Sequence, residues 1–135
     1  DGLRVHDKFL KHSIANEASH DFEQDGVAKY SIKRLYRADK FVRNKCKIGI
    51  TLPFSAGKYY KEVLVDVEYV INMFEKNGFE REQYSPFTKL LPNFEKHDKQ
   101  YFDMLDTADL EFLKLYSFVT LYKPATKVTR TKKAL

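Results

Sequence analysis

KIGITLPF at residues 47–54 and, three residues later, KYYKEVLVDVEYVINMFEKNG at residues 58–78 decide how the chain folds. The first segment is β-branched and ends at Pro53, which predicts a strand. In the second, Val63, Leu64, Val67, Val70, Ile71 and Phe74 recur at helical spacing until Asn77-Gly78 breaks the pattern, so a helix with one apolar stripe is expected to lie on a sheet. Lys58-Tyr59-Tyr60 reads as the turn between them. Upstream, residues 30–36 alternate, with Tyr30, Ile32 and Arg34 on one side and Ser31, Lys33 and Leu35 on the other. Residues 13–26 are dense in polar side chains and predict a mobile surface loop. The opening residues suit a helix, because Leu3, Val5, Phe9 and Leu10 share a face. Downstream, 79–87 reads as a strand and 90–100 as a polar connection with a short helix. Asp106 and Asp109 form a cap pattern for a helix reaching about Leu115, and 117–122 is a strand stopped by Pro124. This order predicts an α/β sheet with covering helices and one exposed edge.

A chain of 135 residues with 43% hydrophobic and 15% aromatic residues builds one core and is not a disordered chain. No apolar run approaches the roughly 20 residues needed to span a bilayer, so no membrane partner is expected. Cys46 is the single cysteine, which excludes an internal disulfide and suits a reducing compartment, cytoplasm or nucleus. The four histidines show no ligand spacing with one another or with Cys46, and no metal is expected. Nucleophile elbow, P-loop and glycine-rich dinucleotide motifs are missing, and the residues offer no complete catalytic set.

The formal charge of +5 favours a polyanionic partner. Lys29, Lys33, Arg34, Arg37, Lys40, Arg43, Lys45 and Lys47 stand against Asp39 alone, and Tyr30, Tyr36 and Phe41 are interleaved with them. Cations beside rings suit a nucleic-acid groove, and they equally suit a solvated strand edge guarded by lysines. Lys33, Arg34 and Arg37 are the candidate RNA phosphate contacts. The basic tail, 124–135, is expected to be a solubilising end. Glu62, placed by the pattern in the first turn of the helix, is favoured there by the helix dipole whatever it does. A carboxylate so placed can also accept two parallel hydrogen bonds from the Watson–Crick edge of guanine. Tyr116 is either an ordinary helix-to-strand aromatic or a ring for a nucleobase.

Two blocks resemble the C-terminal half of mRNA cap guanine-N(7) methyltransferases, particularly those in capping enzymes of large cytoplasmic DNA viruses. The first is Ile50-Thr51-Leu52-Pro53-Phe54 followed by Tyr59-Tyr60-Lys61-Glu62-Val63-Leu64-Val65-Asp66 and the helix to Phe74, with Val63 where the family usually has tyrosine. The second runs from Asp109 through Leu115-Tyr116 to Lys123. Asp1-Gly2-Leu3-Arg4-Val5 and Lys29-Tyr30-Ser31-Ile32-Lys33 suit the preceding helix and strand. The resemblance implies the C-terminal half of a Rossmann-like class I methyltransferase sheet over residues 1–123. It implies that Glu62 holds the cap guanine by its edge and that Tyr116 lines the same pocket.

The same resemblance implies methyl transfer from S-adenosylmethionine to the guanine ring nitrogen, with no general base and with catalysis resting on positioning. The family's donor loop of acidic residue and glycines belongs to its N-terminal half and has no counterpart in this sequence. The chain, which opens without methionine inside a helix, is therefore expected to be inactive alone. It would need the N-terminal half of the domain, on the same polypeptide or a complementing chain, with capped RNA as the substrate and a host cytoplasm or virion as the setting. The alternative is a noncatalytic methyltransferase-like RNA-binding or stimulatory subunit.

Overall fold

The computed structural model describes residues 1–11, 19–37 and 40–125, and every structural statement concerns those. The expected basic tail lies, from residue 126 on, outside them. The chain opens as a helix, α1 (Gly2–Val5), that continues through a π-helical turn over His6–Leu10. Strands β1 (Ser19–Gln24) and β2 (Val27–Arg34) then form a hairpin. The loop expected over 13–26 is thus corrected for its described part. Asp25 and Gly26 both take positive φ, 52° and 76°, which makes them a hairpin turn whose twist matches the strands. The polar residues around Phe22 form the solvent side of a strand whose Phe22 is buried.

β3 (Lys47–Thr51) and β4 (Tyr60–Val63) complete a four-stranded antiparallel sheet in the order β1-β2-β3-β4. The helix expected from Val63 begins later, as α2 (Val67–Lys76). Asp66 holds extended dihedrals, and its carboxylate accepts from the Tyr69 amide at 3.1 Å, setting the helix start there. Val63 instead pairs with Lys47, and the Leu64 amide donates to the Cys46 carbonyl at 2.9 Å. Helical spacing over Val63 and Leu64 was coincidental, because a strand pairing had already claimed those residues.

β5 (Glu80–Pro86) and β6 (Ser117–Tyr122) form a separate antiparallel pair. Between them lie a 3-10 turn at Phe87–Leu90 and three short helices, α3 (Leu91–His97), α4 (Lys99–Phe102) and α5 (Thr107–Leu113). The protein is mixed α/β with antiparallel sheets. Among the described residues no two strands pair in parallel, and no helix is long and apolar enough to cross a membrane.

The core lies between the sheet, α5 and the opening helix: Phe22, Ile32, Ile48 and Ile50 meet Val5, Leu10 and Phe112. Gly2 closes one end, where any Cβ would sit 2.5 Å from the Val65 nitrogen. α5 is held to the first hairpin by a polar clamp. Lys29 Nζ lies 2.7 Å from a carboxylate oxygen of both Asp106 and Asp109, and the Tyr30 hydroxyl donates to Asp109 at 2.5 Å. Asp106 and Asp109 also close a capping box on each other's amides. Beside the clamp the Tyr30 ring stacks on Phe112, centroids 4.2 Å apart and 9° from parallel.

Burial works against the Asp109 carboxylate, yet the hydrogen bonds from Lys29, Tyr30 and the Asp106 amide outweigh it and hold its pKa below the usual value. Burial, with the bond to Asp109, pushes the Tyr30 phenol up to about 12. A carboxyl whose pKa is depressed on folding contributes stability above its unfolded pKa, and that contribution fades as pH falls through the folded value. Stability should therefore fall below about pH 4, and Asp109→Asn should flatten that dependence. At neutral pH Asp109→Ala should cost about 1–3 kcal/mol, through the donors it leaves unmatched. Urea melts of wild type and variants across pH 2.5–7 check both, and an unchanged acid slope in Asp109→Asn would show that the clamp does not govern it.

Candidate functional site

Strand parity puts Arg34, Ile48 and Glu62 in one cross-strand row on the inner face of the sheet. Ile32, Ile48 and Ile50 form the apolar floor of an open cavity of about 310 Å³. Glu62 and Leu64 border one side. Leu115 and Tyr116, delivered by the end of α5, border the other, and Val5 of the opening helix closes the end. The volume is at the lower end of the range for small-ligand sites, and apolar walls with few polar groups are typical of them.

Glu62 is an exposed residue of the edge strand β4 and not part of a helix. This corrects its expected position in the first turn and removes the helix-dipole explanation for it. That terminus is served by Asp66. Glu62 makes no hydrogen bond or ion pair with the described residues, so its carboxylate is available to the cavity. Tyr116 is half-buried, edge-on to Phe112 at 5.5 Å and to Phe87 at 6.3 Å. Burial, and secondly the negative charge of Glu62, push its phenol up to about 12, so it stays a protonated donor near neutrality. One cavity therefore presents an acceptor-only carboxylate, a phenol and an apolar floor, a set that suits a flat heterocycle with adjacent N–H donors.

The three candidate RNA contacts part company. Lys33 projects from the outer face of the sheet, its Nζ 5.8 Å from the centre of the Tyr59 ring, and Arg37 is exposed. Arg34 is only 3% exposed and donates through Nη1 to the Leu10 carbonyl at 2.9 Å, which ties the opening helix to the sheet. Arg34 is therefore withdrawn as an RNA contact, since its even position turns it inward. Two other cations of the basic run are also engaged in the fold. Lys29 belongs to the clamp, and Arg43 stacks 3.7 Å over Tyr69 while reaching Asp66 at 3.2 Å.

Some buried polar residues carried no sequence signal. His6 is buried and shares a hydrogen bond with the Tyr36 hydroxyl. Cys46 is buried, its sulfur accepting from the Val42 amide at 3.2 Å.

Sequence comparison supplies the context for this cavity. The chain is similar to viral mRNA-capping enzymes. It is 31% identical over 122 residues to the mRNA-capping enzyme of a South African tick isolate of African swine fever virus, a match that covers 90% of this chain and 14% of that protein. It is 34% identical over 100 residues to the mRNA-capping enzyme of the Badajoz strain, which covers 74% of this chain and 12% of the relative. The chain thus spans about a seventh of the length of the proteins it matches. No family model matches it.

If Glu62 and Tyr116 share the cavity as described, removing the charge of Glu62 must lower the Tyr116 pKa. Carbon-13 NMR of ring-labelled tyrosine should show Tyr116 titrating near pH 12 in wild type and at lower pH in Glu62→Gln. An identical Tyr116 titration in both would separate the two residues.

Proposed function

We propose that this chain carries the cap-guanine pocket of an mRNA (guanine-N(7))-methyltransferase and contributes to mRNA capping as part of a larger protein or complex. The observation that supports the reading above all is that Glu62 and Tyr116, far apart in sequence, border one apolar cavity. The similarity to proteins named mRNA-capping enzymes supports it independently. In this reading the two antiparallel sheets are the C-terminal part of a Rossmann-like sheet whose remaining strands belong to another segment.

Guanine offers two parallel donors, the ring N1–H and the exocyclic amine, which match the two oxygens of Glu62. Charge-assisted pairs of this kind are stronger than neutral ones. The guanine ring lies against Tyr116, and the isoleucine floor keeps water from its underside. N7 carries a free lone pair, so no residue need remove a proton, and the chain's contribution is to fix the ring for attack. Methylation makes the ring cationic, and the carboxylate of Glu62 favours that charge as it develops.

The methyl group would come from S-adenosylmethionine, and the residues described do not fit a site for it. Their glycines lie in turns, against the Leu64–Val65 backbone or beneath Tyr59, none of them on a turn from strand to helix. Donor binding is accordingly assigned to the segment or chain that completes the sheet.

Glu62→Gln replaces one acceptor oxygen by an amide that opposes guanine's own donors. With each hydrogen bond to a charged group worth about 1.5–3 kcal/mol, affinity for a cap dinucleotide should fall at least about tenfold in the intact protein, while S-adenosylmethionine binding stays unchanged. Calorimetry with both ligands checks this, and equal cap binding by variant and wild type would remove Glu62 from the pocket.

A further inference from the structure

The outer face of the large sheet, opposite the cavity, is built differently from the inner one. Its residues on β2, β3 and β4 include Ser31, Lys33, Lys47, Gly49, Thr51, Lys61 and the exposed Val63, with Tyr59 leading into β4 and Asp21 of β1 opposite Ser31. Lys33, Gly49 and Lys61 form one cross-strand row. The two lysines thus stand two strand spacings apart, about 10 Å, with a glycine between them.

Tyr59 occupies the space that the glycine leaves. A Cβ on Gly49 would lie 2.9 Å from Tyr59 Cδ1 and 3.2 Å from its Cβ, so the ring rests on the bare backbone of β3. Lys33 Nζ reaches over the same ring at 5.8 Å. The tyrosine is still 46% exposed. An aromatic ring seated on a glycine in mid-sheet and flanked by lysines from three strands, with the acid of this face, Asp21, standing on β1 away from the ring, exceeds what protection of a sheet edge requires. Edge protection explains Lys61 on β4. It does not explain Lys33 and Lys47, which lie on interior strands, or the ring laid between the lysines.

We propose that this face is a binding track for single-stranded RNA, distinct from the cavity, in which Tyr59 stacks a base while Lys33, Lys47 and Lys61 meet phosphates. Cations that track a backbone beside a ring that takes any base form the usual platform for single strands. The ring is held in place by the fit on Gly49, so a base stacks on a surface already ordered. The track depends on the capping reading only for the choice of RNA as the polyanion. It needs no cap, and binding of uncapped RNA is measured separately from binding of the cap dinucleotide.

The test uses the intact protein and an uncapped oligouridylate over a salt series, followed by fluorescence anisotropy. Each phosphate contact on a single strand contributes about 0.7 to the slope of log affinity against log salt. Lys33→Ala with Lys61→Ala should therefore lower the slope by about 1.4. Tyr59→Ala should weaken binding roughly tenfold with the slope unchanged, and Tyr59→Phe should restore it. Cap dinucleotide affinity should be the same in all these variants. All the altered side chains are solvent-facing, and thermal melts confirm the fold. An unchanged slope in the double lysine variant would overturn the track. So would polyglutamate competing as well as RNA and indifferently to Tyr59→Ala, which would mark a patch for any polyanion.

Discussion

The arrangement depends on how α5 is fastened to the first hairpin. Tyr116 reaches the cavity because it follows α5 directly, and α5 is placed by Asp109, which receives Lys29 and Tyr30 from β2 while capping its own helix with Asp106. The stack of Tyr30 on Phe112 fixes the depth of the helix, and the ion pairs fix its position along the strand. Glu62 is positioned separately, through the register of β4 on β3. The cavity is thus a junction of two independent constraints, a strand register and a helix clamp, and moving either would separate the carboxylate from the phenol.

The two faces of the sheet carry different charges near the cavity and opposite it. The inner face buries Arg34 against the Leu10 carbonyl and leaves Glu62 at the cavity margin. The outer face carries lysines that point away from the carboxylate. Lys33, Lys47 and Lys61 thus lie across the sheet from Glu62 and do not pair with it.

Much of the element order was legible in the sequence. β6 and α5 were read closely, because Asp106 with Asp109 is a local cap signal and Pro124 a local stop. The start of α2 was misread, because Val63 and Leu64 fit the helical period while their hydrogen bonds go to Lys47 and Cys46, residues distant in sequence. The first hairpin was missed although Asp25-Gly26 is a strong turn signal, since its polar face outweighed the single inward Phe22. For the site, Glu62 and Tyr116 were singled out through motif resemblance. Their convergence and the isoleucine floor depend on register and docking, which no local pattern encodes. Arg34 shows the converse, as its charge pointed to RNA while its parity on β2 sent it into the core.

The central claim is that Glu62 and Tyr116 together seat a guanine. A crystal structure of the intact protein with a cap dinucleotide tests it most directly. The account predicts the guanine edge within hydrogen-bond distance of both Glu62 oxygens and its ring against Tyr116, above Ile48 and Ile50. A guanine seated elsewhere, with neither side chain touching it, would contradict the account.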